Sequence, residues 1–253
     1  MDPLSGKVVV ITGASEGIGA RVAALLQSRG ALLTVAARNS VKLGQIARSD
    51  DLVVAGDITD EGVRRVVIEK TIERHGRIDV LINNAGRGSW YAASAVPLEE
   101  ARAVFELNFF APLALSLLAT PWLRQSRGIL VNISSIAGQI SLPWLPVYSA
   151  SKFAVTALTS AQRSELKRDG VHVMGVFPGY VDTGFQAHAA GPPPPDRIVA
   201  GKKFAVSATD CAAAIVDGIA HRRQIVVTPA LGWLLVWANR LFPGLVESRM
   251  ERV

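Results

Sequence analysis

The chain has 253 residues, 49% of them apolar and 19% charged, which suits one well-buried globular domain and excludes a disordered chain. A net charge of +6 permits attraction to phosphates or anionic surfaces. The basic residues are scattered without interleaved aromatics, which excludes an extended nucleic-acid surface. One cysteine, Cys211, and no Cys/His cluster of ligand spacing exclude an internal disulfide and point away from a metal centre.

The first strand-like run, 7–12, leads into Thr12-Gly13-Ala14-Ser15-Glu16-Gly17-Ile18-Gly19 and a helix over 17–29. Glycines at such a turn let the backbone approach a pyrophosphate, which then rests on the positive end of the helix. A purely structural turn is the alternative reading. The start of the chain leaves no room for a signal peptide, and no apolar run approaches the ~18 residues of a membrane span. A cytoplasmic location is therefore expected.

The second strand, 32–36, is followed by Ala37-Arg38, with Arg38 nineteen residues past Gly19. An acidic side chain there would hold the ribose 2′-hydroxyl of NAD, whereas Arg38 suits a 2′-phosphate through a charge-assisted fork. NADP is thus expected over NAD, with a solvated surface arginine as the alternative; Glu16 in the glycine turn works against the preference. After strand 52–55 comes Gly56-Asp57-Ile58-Thr59, where Asp57, beside Ile58, is placed to accept from an adenine amino group or to cap the helix over 59–75. Strand 80–83 ends in Asn83-Asn84-Ala85-Gly86, small enough for a ribose or nicotinamide to pass, or simply a turn.

A long helix over 98–124 carries Asn108 between Leu107 and Phe109, either on the helix surface or there for a specific purpose. Strand 128–134 precedes Ser135, which stands thirteen residues before Tyr148. In the next helix, 147–168, Tyr148 and Lys152 lie four apart and so on one face. An ammonium beside a phenol favours its anion, which brings a side chain of pKa about 10 toward use as an acid or base. Strands 171–177 and 224–228, with a helix over 208–221, complete the series.

Most of the strand runs are continuously apolar, as parallel strands covered on both faces require. Alternation with helices implies a single-domain α/β fold: a Rossmann-type, doubly wound parallel sheet of about seven strands. Two regions break the pattern, a Pro192-Pro193-Pro194-Pro195 insertion within 184–206 and an apolar, basic tail over 229–253.

Taken in order, Thr12-Gly13 through Gly19, Asn83-Asn84-Ala85-Gly86, Asn108, Ser135, Tyr148-x-x-x-Lys152 and Pro178-Gly179-Tyr180-Val181-Asp182-Thr183 resemble the short-chain dehydrogenase/reductase family over 7–183. The resemblance implies an NADP(H)-dependent oxidoreductase of ketones, aldehydes or secondary alcohols, working as a homodimer or homotetramer. It makes Tyr148 the general acid, Lys152 its tuner and a ribose ligand, Ser135 a donor to the substrate oxygen, and Asn108 the holder of a water that links Lys152 to solvent. It places Gly13, Ser15, Glu16, Gly17, Ile18, Gly19, Arg38, Asp57, Ile58, Asn84, Ala85 and Gly86 along the cofactor. Pro178, Gly179, Val181 and Thr183 join Tyr148 and Lys152 at its nicotinamide end, and 184–206 becomes a substrate lid in which His188, Lys202 and Lys203 have no catalytic part.

The tail lacks the Gly-Gly ending of many tetrameric members and looks like that of 11β-hydroxysteroid dehydrogenase-like relatives, which implies a lipophilic substrate. Trp233, Trp237, Leu241 and Leu245 recur at helical spacing, and Pro243 breaks any single long helix. Such a tail can lie at a membrane interface, cover the pocket, form a dimer contact or pack on its own domain. Reduction of 3-oxoacyl thioesters is the rival activity. A non-catalytic dinucleotide sensor is the rival of another class, opposed by the survival of all four polar catalytic positions.

Overall fold

A computed structural model describes residues 2–185, 188–193 and 205–250. Seven strands form one parallel sheet: β1 (Val8–Thr12), β2 (Leu32–Ala37), β3 (Leu52–Ala55), β4 (Val80–Asn83), β5 (Ile129–Ile133), β6 (His172–Pro178) and a last strand, Ile225–Thr228. Their order is β3-β2-β1-β4-β5-β6 and then that last strand, so the chain reverses direction across the sheet between β1 and β4. In such sheets the crevice at the strands' carboxyl ends, beside the reversal, is where ligands bind.

Successive residues of β1 feed opposite cores, as the two-residue period of a strand demands. Val9 and Ile11 pack with Val22 and Leu26 of α1 (Gly17–Ser28) and with Cys211 and Ile215 of the helix Ala208–Ala220. Val10 packs on the other face with Val67 of α3 (Glu61–His75) and with Leu115 and Leu123 of the long helix. Helix α2 (Ser40–Ile46) was not expected from the pattern, being too short to display a period. Helix α3 begins two residues later than expected because Asp60, not Asp57, caps it by accepting from Val63 N–H at 3.0 Å.

The expected helix over 98–124 is a composite. Helix α4 (Leu98–Phe105) passes through a π-helical turn, Glu106–Phe110, into α5 (Ala111–Ser126). The 29-residue stretch Leu98–Ser126 holds an 18-residue window of mean hydropathy 1.6, long and apolar enough to cross a bilayer by length and composition. Ala111, Leu115, Ala119 and Leu123 are nevertheless spent in the core beneath the sheet.

Helix α6 (Pro146–Leu166) covers β5 and β6. Past β6, two-residue strands β7 (Val181–Asp182) and β8 (Val206–Ser207) pair in parallel at the ends of the insertion. Helix α7 (Ala208–Ala220) leads to β9 (Ile225–Thr228) and a helical pair, α8 (Gly232–Leu241) and α9 (Pro243–Met250). The break falls at Pro243, as its missing N–H dictates.

Candidate active site

The glycine turn joins β1 to α1 at the crevice. Gly13 (φ 65°) and Gly17 (φ 57°) take left-handed conformations, and a Cβ on Gly13 would lie 2.8 Å from Ala85 Cα. The turn is pinned to its neighbours: Asn84 Nδ2 donates to the Thr12 and Gly13 carbonyls at 2.9 and 3.0 Å, and Thr12 Oγ1 accepts from the Asn84 and Ala85 amides. Glu16 occupies the N-cap of α1 but makes no side-chain capping bond. The first amides of this 12-residue helix therefore keep donors for an anion. Ser15 is half-buried beside them; Gly19 is buried, and Ile18 packs against the core.

At the end of β2, Ala36 O accepts from Gly13 N–H and Ala37 O from Gly56 N–H, which puts the exposed Arg38 between the glycine turn and Asp57. Asp57 Oδ1 takes both the Thr59 N–H (2.9 Å) and its hydroxyl (2.8 Å). Burial raises the pKa of this carboxyl, but the two Thr59 bonds and the Arg38 charge outweigh it, and the net shift is downward. The Ile58 side chain is buried in the core and its carbonyl accepts from Arg64, so any outward role falls to its amide.

Asn108 is buried in the π-helical turn. Its Oδ1 accepts from Arg87 N–H at 2.9 Å, while Nδ2 donates to Arg87 O and to Ser151 Oγ at 3.0 Å each. The amide thus staples the loop after β4 to α6. A Cβ on Gly86 would sit 3.2 Å from Asn108 Oδ1 and 3.5 Å from Lys152 Nζ, so the two polar groups border the same small space.

Lys152 is 4% exposed and donates to Ile133 O at 2.9 Å. Burial pushes its pKa down to about 8. No carboxylate pairs with it among the described residues, so a buried ammonium keeps two donors for hydroxyl groups of a ligand. Ser135, just past β5, is fixed by accepting from Ala137 N–H at 3.1 Å and donating to Pro178 O at 3.2 Å.

The Tyr148/Lys152 pair forms on one helix face, yet the expected lowering of the phenol's pKa does not follow. Lys152 Nζ stands 5.8 Å from the Tyr148 ring centroid and is committed to Ile133 O. Burial pushes Tyr148 up to about 12, with the Ser135 hydroxyl pulling the other way. Tyr148 is protonated at neutral pH in this state.

Pro178 is buried, Gly179 N–H donates to Thr228 O, and Val181 is buried in the core with only its backbone near the crevice. Thr183 lies 3.5 Å from where a Cβ on Gly17 would be, closing the crevice from the far side. Phe185, for which the sequence carried no signal, packs tilted against Tyr148, with ring centroids 5.8 Å apart and planes at 58°. Ala190 pairs with the loop after β4, taking Trp90 N–H at 2.7 Å and giving its own N–H to Gly88 O. Lys202 and Lys203 lie outside the described residues. His188 is exposed and meets Glu16.

The glycine turn, uncapped helix end, Arg38 and Lys152 fit a dinucleotide, and the Ser135/Tyr148 pair fits the oxygen of a carbonyl or alcohol. Fold and site together define a nicotinamide-dependent oxidoreductase acting on CH–OH and C=O groups. The chain belongs to the short-chain dehydrogenase family, whose model it matches over residues 7–191. It is 31% identical to the 11-beta-hydroxysteroid dehydrogenase-like 4A of Arabidopsis thaliana, over 99% of this chain and 86% of that one. Two solved structures share the fold. A short-chain dehydrogenase/reductase from Burkholderia phymatum in complex with NAD has a TM-score of 0.87 at 24% identity, covering 97% of this chain and 96% of that one. A short-chain dehydrogenase from Burkholderia cenocepacia in complex with NADP has a TM-score of 0.83 at 25% identity, covering 98% of each.

Proposed function

We propose that the chain is an NADP(H)-dependent oxidoreductase of ketones, aldehydes or secondary alcohols, with a lipophilic substrate. The observation that carries this reading is the meeting of Ser135, Tyr148 and Lys152 beside a glycine-lined crevice. A bound nicotinamide dinucleotide supplies or accepts the hydride. Tyr148, protonated at neutral pH, gives its proton to the substrate oxygen in reduction. Ser135 turns its hydrogen from the long 3.2 Å bond with Pro178 O toward the same oxygen and stabilises the negative charge developing there. Lys152 holds ribose hydroxyls and offsets the phenolate left on Tyr148. Asn108 positions the loop and α6 so that a water between its Oδ1 and Lys152 can return the proton.

Arg38 supports NADP(H) over NAD(H), being a cation free of ion pairs among the described residues at the place where an acidic side chain would hold a 2′-hydroxyl. The tail supports an apolar substrate. Trp233 packs with Ile136, Ile140 and Val236, on the segment that directly follows Ser135, while Leu234, Trp237 and Leu241 are exposed. That surface suits peripheral contact with a membrane, and exposed Leu98, Phe110 and Leu117 on the α4–α5 helix suit a second copy of the chain.

A turnover screen with NADPH and NADH against steroid, retinoid, fatty-acyl and small aromatic carbonyls tests the reading. Faster turnover of apolar ketones with NADPH is expected. Binding of neither cofactor and turnover of nothing in the panel would overturn it, and a preference for acyl thioesters would move it to 3-oxoacyl reduction.

A further inference from the structure

Arg38 and Lys42 follow the end of β2, and they differ in their partners among the described residues. Arg38 acts on Asp57 through its charge and pairs with no carboxylate among the described residues. Lys42, four residues on in α2, has its Nζ 2.7 Å from Glu16 Oε2, with the two side chains 47% and 45% exposed. The other oxygen of Glu16 lies 3.0 Å from His188 Nδ1, on the segment that follows Thr183. A residue at a helix N-cap ordinarily turns its oxygen onto the helix amides. Glu16 instead reaches away from α1 and draws Lys42 across to the glycine turn, and the Lys42 hydrogen bond is the chief reason its pKa is lowered.

We propose that Lys42 is a specificity-determining residue: the second cation of the 2′-phosphate site, held beside it by Glu16 until the phosphate arrives. This rests on the NADP(H) reading above. An exposed ion pair such as Glu16–Lys42 is weak, being screened by solvent. A phosphate monoester brings about 1.5–2 negative charges and three acceptor oxygens, so it competes for the ammonium at small cost. Glu16 then keeps His188 as a partner. A ribose with a free 2′-hydroxyl has no charge to offer, and Lys42 stays with Glu16. The carboxylate therefore has two opposed effects on a 2′-phosphate. It holds Lys42 near the site, and its own charge repels the phosphate.

Equilibrium binding of adenosine 2′,5′-bisphosphate and of 5′-AMP to the full chain tests this without reference to turnover. Lys42→Ala is expected to weaken bisphosphate binding about tenfold, equivalent to about 1.4 kcal/mol. It should leave 5′-AMP within about twofold, and Lys42→Arg should restore the difference. Glu16→Gln is expected to strengthen bisphosphate binding several-fold through lost repulsion, and by more than it strengthens 5′-AMP binding. Lys42→Ala affecting both ligands equally, or neither, overturns the assignment. If Arg38→Ala abolishes the preference for the bisphosphate while Lys42→Ala leaves it whole, the role of Lys42 fails and the NADP(H) reading stands. If the unaltered chain binds the two ligands equally, the NADP(H) reading itself fails and takes this one with it.

Discussion

Lys152 brings its charge into a space where the Ile133 carbonyl is its one acceptor among the described residues, and burial draws its pKa from 10.5 down to about 8. Between these two values the unfolded chain holds a proton that the folded chain has released, so this residue makes stability rise with pH across that window. Below pH 8 both states are protonated and the cost of burying the charge is present in full. Chemical denaturation of the ligand-free protein should show the effect. The stability gap between Lys152→Met and the unaltered chain should shrink by on the order of 2–3 kcal/mol from pH 7.5 to 10.5. A gap that stays constant with pH would mean that the ammonium is better solvated than its burial suggests.

The same residues show where reading from sequence stops. The i, i+4 spacing of Tyr148 and Lys152 was legible because a helix fixes which side chains share a face. The direction of the phenol's shift was not, since it depends on how deeply the ring is buried and on which acceptor the ammonium chooses. Glu16 was legible as a negative charge in the glycine turn. Its partners were not, because His188 lies 172 residues further along and no local pattern brings the two together.

At the level of elements, the strands stood out as continuous apolar runs and agree with the structure to within a residue or so at each end. The π-helical turn Glu106–Phe110 left no trace in the apolar pattern, yet it carries Asn108 into the site. A single polar residue between Leu107 and Phe109 was the only signal, and it gave the position without the geometry. In the tail, Pro243 marks the break, but the helical spacing of Trp233, Trp237, Leu241 and Leu245 does not make them one cluster. The structure adds that Trp233 turns inward while Trp237, 52% exposed, turns outward under the guanidinium of Arg240, 5.8 Å from its ring. Helices α8 and α9 therefore present Leu234, Trp237, Leu241 and Leu245 beside cationic side chains, a pattern suited to an anionic lipid surface. The full chain should float with vesicles of mixed neutral and anionic lipid, and a chain ending at Thr228 should not. Equal flotation of the two would remove the tail from any membrane role. If the shortened chain unfolds, as loss of the cover over Ile136 and Ile140 allows, Trp237→Ser with Leu241→Ser in the full chain gives the same comparison.

For the whole molecule, the order β3-β2-β1-β4-β5-β6-β9 explains why distant residues meet. The reversal between β1 and β4 sets the glycine turn beside Asn84 and Ala85, while β5 and α6 bring Ser135, Tyr148 and Lys152 to the neighbouring edge of the same crevice. The apolar tail covers the segment after Ser135, so the oily surface and the proposed catalytic residues lie at one end of the protein. We propose Tyr148 as the proton donor at that end. Tyr148→Phe removes one oxygen and little volume, and NADPH affinity should stay within about threefold if the residue acts on the substrate oxygen. Reduction of the best ketone from the turnover screen should then fall by about 10²–10⁴-fold in kcat. Retention of full activity by Tyr148→Phe would contradict the account.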